Sequence, residues 1–297
     1  MPDSTRAFDT SSGLLTLGLR APGSRRGLAR LLRTGAGCAG VAVIGGLLAV
    51  ALLAGRIAPA DPFASVGPAL MAPTLAHPMG TDDLGRDLFS GVLYGTRTSL
   101  LLAILVSALS GAIGIAVGST AAWQGQRVDD ALMRFTEFVQ IVPRFFLAVV
   151  FVALLGPGLD RLVLLLGLTS WPWIARVVRA EVLSLKQREF VEAARSLGAG
   201  HVRVLLREVL PNALPPVVVV VSLGAASVIL TEAGLSFLGL GDPDVVSLGY
   251  LASNAQRFLR VAWWLAAFPG AAIALAVLGL NLVGDGLNDA LNPRGER

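Results

Sequence analysis

"TSLLLAILVSALSGAIGIAVGSTAAWQGQ", Thr98 to Gln126, contains no charged side chain. A helix rising about 1.5 Å per residue needs roughly 20 residues to cross a hydrocarbon core of ~30 Å, and this stretch is longer than that. It carries Gly111, Gly114 and Gly118, and the Gly114/Gly118 pair predicts a small-residue face for close helix packing. The whole chain agrees with its clearest segment. Of its 297 residues, 54% are hydrophobic and 15% charged, against about a quarter charged in an ordinary soluble domain. With a mean hydropathy of +0.71, a bilayer is the expected solvent.

Five further runs predict spans: Thr34–Gly55, Phe135–Gly156, Leu162–Val178, Leu210–Leu230 and Trp263–Val283. The Phe135–Gly156 run contains Glu137 and Arg144 and is kinked at Pro143. Six spans put both termini on one side, and the basic residues say which. Seventeen of the 24 Lys and Arg fall in segments on the side of the N-terminus and six on the other. Positive charge marks the cytoplasm, so both termini are expected there. The same distribution, beside apolar runs rather than on one polar face, argues against nucleic-acid binding. The expected organisation is an Arg-rich leader (1–34), a first helix with an extracytoplasmic loop (35–95), a five-helix unit (96–285) and a short tail (286–297). A twin-arginine export signal at Ser24–Leu28, cleaved near Ala58–Ala60, is the competing reading of the leader, but the apolar run is long for a signal core. Cys38 is the single cysteine, and His77 and His201 lie far apart, so no metal-ligand spacing exists.

One segment does not fit a lipid-facing chain. "FVEAARSLGAGHVRVLLREVLPN", Phe190 to Asn212, is charged and helix-like. Phe190, Ala193, Ala194 and Leu197 are spaced i, i+3, i+4, i+7; Val202, Leu205, Leu206 and Val209 repeat the pattern. Gly198 stands where a helix ends in positive φ, and Pro211 is placed to close the second helix and open the next span. The segment reads as two short amphipathic helices joined at Gly198. Their apolar stripes could lie on lipid headgroups, pack on the chain's own spans, or dock in another subunit's groove.

This stretch resembles the EAA loop of binding-protein-dependent ABC transporter permeases, through Glu192, Ala193, Ala194, Gly198, Leu210 and Pro211. Glu208 stands where that pattern usually has an apolar residue. "HPMGTDDLGRD" (77–87), "YGTRTSL" (94–100), "LSFLGLG" (235–241) and "GDGLNDALNP" (284–293) are similar to the C-type permease of peptide and nickel importers. Two positions depart from it: Leu248-Gly249 for Trp-Gly, and Asn288 for Arg. The resemblance implies an all-α, six-span type I importer permease in the bacterial plasma (inner) membrane. It implies a second permease, one or two ABC ATPase subunits and an extracytoplasmic substrate-binding protein as partners. The ATPase-coupling loop would comprise Phe190, Glu192, Ala193, Ala194, Leu197, Gly198, Val202, Leu205, Leu206, Leu210 and Pro211. Cargo would be a di- or oligopeptide, with nickel or a metal chelate as the alternative.

A phosphate-binding Gly-x-x-x-x-Gly-Lys-Ser/Thr loop is missing, since the single lysine is Lys186 in "SLKQRE". The chain is therefore expected to bind no cofactor itself and to be no enzyme, with ATP and Mg held by partner subunits. The competing class, an ion-coupled secondary transporter, would show inverted repeats and functional charges near mid-bilayer. Glu137, Arg144, Glu232 and Asp285 are the candidates for a translocation path or subunit contact. For Arg144 the other reading starts the span after Pro143 and lets the side chain snorkel at the cytoplasmic edge.

Overall fold

A computed structural model describes residues 31–32 and 34–291; most of the Arg-rich leader, with Ser24–Leu28, and residues 292–297 lie outside the described residues. The first helix, α1 (Gly35–Ile57), starts where the Thr34 hydroxyl accepts the Gly37 N–H at 3.1 Å. α2 (Leu88–Gln124) begins ten residues before the expected start at Thr98. Its cap explains the difference: the Asp87 carboxylate accepts the Ser90 N–H at 2.8 Å, so Arg97 is carried on the helix rather than in the loop. α3 (Gln126–Ile141) and α4 (Arg144–Leu155) follow, then α5 (Leu159–Leu185), α6 (Glu189–Ser196) and α7 (His201–Val204). A single π-helical turn, Leu205–Val209, joins α7 to α8 (Leu210–Phe237). α9 (Leu248–Ala255) and α10 (Trp264–Leu291) complete the described chain.

Five helices are long and apolar enough to cross a membrane, or six if α3 and α4 form one broken span. Those two are bent by 74° at Val142-Pro143, because Pro143 removes a backbone donor and pushes Val142 into extended geometry. The expected kink is thus a full break. Pro172, by contrast, sits buried inside an unbroken α5.

In lipid there is no hydrophobic gain from helix association, so packing must supply it. α2 and α5 make the central contact and run parallel, Leu109 meeting Gly167 and Gly118 meeting Ala175 and Val178. A Cβ at Gly114 would lie 2.7 Å from the Ile174 Cβ, and one at Gly118 only 2.3 Å from the Ala175 carbonyl oxygen. The small-residue face brings the two backbones together as the sequence predicts. At the end of the bundle where α2 starts, the irregular 58–87 segment folds back on the helices. Thr81, fully buried, accepts the Trp264 indole N–H at its carbonyl (3.3 Å), and His77 Nδ1 lies 3.0 Å from Asp87 Oδ1. In the same loop burial pushes the Asp82 carboxyl above its usual range, against the Arg86 and Leu84 N–H groups it accepts.

Candidate functional site

At the opposite end, α5, α6, α7 and the start of α8 build one continuous surface beneath the C-terminus of α2. The Lys186 ammonium donates to the Ala122 and Trp123 carbonyls at 3.0 and 3.1 Å, capping the negative end of α2 with a cation. The Trp123 ring gathers the same ammonium and two further groups: Lys186 Nζ 5.4 Å and Arg195 Cζ 5.2 Å from its centroid, and the His201 ring edge-on at 6.5 Å. A bidentate pair, Arg179 to Asp129 at 2.5 and 2.6 Å, ties α5 to the first turn of α3.

The insert buries a face that its spacing only partly foretells. Val191, Val204 and Val209 are fully buried, packed with Ala122, Val178 and Val182. Phe190, Ala194 and Leu205 are half-buried beside them, while Glu192 and Ala193 face out. Leu197, Val202 and Leu206 are left 89%, 68% and 55% exposed. Val202 and Leu206 border a shallow cleft with Arg203 and Arg207. So each stripe divides: one edge holds the insert to its own spans, and the other presents apolar surface outward.

The two halves join as the sequence predicts at Gly198, whose φ is +82°. The Gly198 N–H donates to the Arg195 carbonyl at 2.9 Å and the Ala199 N–H to that of Ala194 at 3.1 Å, the paired bonds of a Schellman turn. Pro211 does not close the second helix. Leu210 donates instead to the Leu205 carbonyl five residues back; this widened turn brings Val204 and Val209 to one side and carries the helix past Pro211. His201 to Phe237 is therefore one rod of 37 residues, about 55 Å long.

The four in-span charges fall in different surroundings. Glu137 is exposed on α3, and the break turns it off the face that carries Arg144. Asp285 is exposed on α10. Glu232, 2% exposed, accepts the hydroxyls of Ser247 (2.7 Å), Ser236 (2.9 Å) and Ser99 (3.5 Å), fastening α8, α9 and α2 within this chain. Arg144 borders a cleft of about 380 Å³ between α2, α5 and α8, with Ser107, Ser110, Ser170, Ser227 and Thr231. Among the described residues, no three His, Cys, Asp or Glu side chains are placed to hold a metal ion.

A helical bundle crossing a membrane several times, with an amphipathic turn-linked helix pair at one end, has the form of a transporter's membrane component. Residues 114–297 match the family of binding-protein-dependent transport system inner membrane components, and the chain belongs to that family as a permease subunit of an ABC importer. It is 41% identical over 254 residues to a peptide transport system permease protein of Brucella suis, covering 84% of this chain and 86% of that one. Against the dipeptide transport system permease protein DppC of Alkalihalophilus pseudofirmus it is 35% identical over 260 residues, covering 86% and 84%. The fold is similar to that in an inward-facing structure of the MetNI methionine ABC transporter, with a TM-score of 0.59 at 18% identity over 68% of this chain and 97% of that one.

Proposed function

We propose that this permease carries di- or oligopeptides inward across a bacterial plasma membrane as half of a two-permease channel, driven by separate ATPase subunits. The observation that carries the coupling is the outward apolar edge Leu197, Val202 and Leu206, of which Val202 and Leu206 stand on a rod continuous with a span. A groove on a nucleotide-binding subunit takes this edge, the helix-in-groove mode of recognition. Glu192 and Ala193, which face out on α6, and Gly198 at its end complete the contact. When ATP and Mg close two such subunits, the grip shifts α6 and α7, and α8 moves with them. The chain itself catalyses nothing; it converts that displacement into a change of access. An extracytoplasmic binding protein delivers peptide at the opposite end, where the 58–87 loop and α9 lie, and both termini face the cytoplasm. The peptide and dipeptide names of relatives at 35–41% identity support the cargo.

The test is capture of the tagged full chain from its own cells in mild detergent. The wild type brings down a P-loop ATPase, identified by mass spectrometry, and the cells take up labelled trialanine in a way that depends on this gene. Leu206→Glu places a charge on the apolar edge and cuts the captured ATPase about tenfold, with the chain still in the membrane. Capture without any ATPase, or undiminished capture by Leu206→Glu, overturns the assignment of this surface.

A further inference from the structure

A guanidinium held in hydrocarbon is costly unless an anion or water meets it, and among the described residues no carboxylate pairs with Arg144. Its depth follows from the helices. α4 runs from Arg144 to Leu155, where the chain turns into α5; eleven residues at about 1.5 Å place Arg144 ~17 Å from that turn. That is about half of a ~30 Å hydrocarbon core, and the cleft that Arg144 borders is lined by the middles of two spans rather than by their ends. Ser170 is near the midpoint of α5, and Ser107 and Ser110 lie in the central part of α2.

The chemistry of the cleft is one-sided. One guanidinium, five hydroxyls and the Trp173 indole supply its polar side-chain groups, and no Asp, Glu, His or Cys borders it. The Ser107 hydroxyl is buried there with no hydrogen-bond partner, and the remaining wall is aliphatic apart from Trp173. A bare metal cation would meet a like charge and no ligand. A carboxylate would find a planar fork of donors matched to its two oxygens and a spare hydroxyl beside it. The volume, about 380 Å³, is within the range of small-molecule sites.

We infer that this cleft is a transit subsite for the C-terminal carboxylate of the cargo peptide, with Arg144 as its anion-binding residue and Ser107 as an added donor. The inference rests on the peptide-importer reading above. It commits to the ligand's carboxylate; an acidic side chain of the second permease is the rival partner for Arg144.

The test uses the whole importer purified with its partners, this chain carrying Cys38→Ser to remove its own single thiol and Ser170→Cys to report from the cleft, with labelling read on this chain alone. The probes are an anionic sulfonatoethyl and a cationic trimethylammonioethyl methanethiosulfonate of similar size, with trialanine or trialanine amide as protectant. The anionic reagent should react roughly tenfold or more faster, the focusing expected near a fixed charge in a low-dielectric cleft. Trialanine should slow it markedly more than the amide does, and Arg144→Gln should abolish both effects while Arg144→Lys keeps the charge preference. A thiol that neither reagent reaches, equal rates for the two, equal protection by acid and amide, or effects that survive Arg144→Gln would each overturn the subsite. Capture of the ATPase and gene-dependent uptake are measured separately, so failure of the peptide-importer reading is distinguishable from failure of the cleft.

Discussion

Replacing Gly198 probes whether the insert must keep its shape for a motor to hold it. A Cβ built at Gly198 meets nothing within 4 Å, so a larger side chain there causes no clash. What it changes is the backbone: at φ +82° an L-residue other than Gly, Asn or Asp is disfavoured by about 1–2 kcal/mol. A chain that relaxes to negative φ gives up the Gly198–Arg195 and Ala199–Ala194 bonds and re-aims α6 against α7. If the motor grips only the turned form, that cost passes to association, where ~1.4 kcal/mol is tenfold. Gly198→Val should therefore weaken ATPase capture by roughly 5- to 30-fold, Gly198→Ala somewhat less, and Gly198→Asn least, since Asn tolerates the left-handed region. The assay is quantitative co-purification of the ATPase together with trialanine uptake, with membrane-resident chain measured in parallel. Insertion should be normal in all three, because no span changes. Two results refute the reasoning: capture by the Val variant equal to wild type, or an Asn variant as impaired as Val, which would mean that side-chain size and not φ decides.

Two further substitutions test the packing. Gly118→Leu must push the Ala175 carbonyl away from a Cβ only 2.3 Å distant, so it should separate α2 from α5 and sharply reduce folded chain in a detergent thermal-unfolding assay. Gly111→Ala, whose Cβ would sit 3.7 Å from the Val221 Cγ2, should fold as wild type; equal behaviour of the two variants would refute the close contact. Glu232→Ala leaves the Ser99, Ser236 and Ser247 hydroxyls without their shared acceptor, a loss of about 1–3 kcal/mol for a buried polar group. It should lower the unfolding temperature, and Glu232→Gln, which keeps a carbonyl acceptor, should recover much of the difference. An unchanged transition in the Ala variant would refute that role.

The spans were legible because lipid leaves a helix no choice about its backbone bonds, and uncharged length is a direct record of that constraint. Their ends were less so. Asp87 starts α2 ten residues early through one side-chain bond, and a lone Asp before Leu-Phe-Ser-Gly carries little statistical weight. The insert was readable as paired helices, but period alone could not say which edge of each stripe faces in. That is fixed by valines at 191, 204 and 209 meeting Ala122, Val178 and Val182 from other helices, a tertiary fact. The π turn that keeps α7 and α8 in one rod was hidden by Pro211, which read as a stop. Trp123, gathering Lys186, Arg195 and His201, gave no periodic signal, because its partners come from three separate segments.

The continuity of that rod is what joins the two proposed sites. Val202 and Leu206 lie 21 to 25 residues before Ser227 on a helical path, some 32–38 Å, so a tilt of about 5° pivoting near the insert would carry Ser227 by ~3 Å. Pro215 and Pro216 lie between them, and each removes a ladder bond, so any bending of the rod concentrates at that pair. Arg144 is on neither α8 nor the insert. It stands at the 74° break between α3 and α4, across the cleft from Ser227 and Thr231. Displacing α8 therefore changes the distance between the guanidinium on one wall and the hydroxyls on the other without moving both together. A ligand that needs both walls then binds the two arrangements unequally, and an unequal affinity is the only way a push at the insert can be felt by cargo in the cleft.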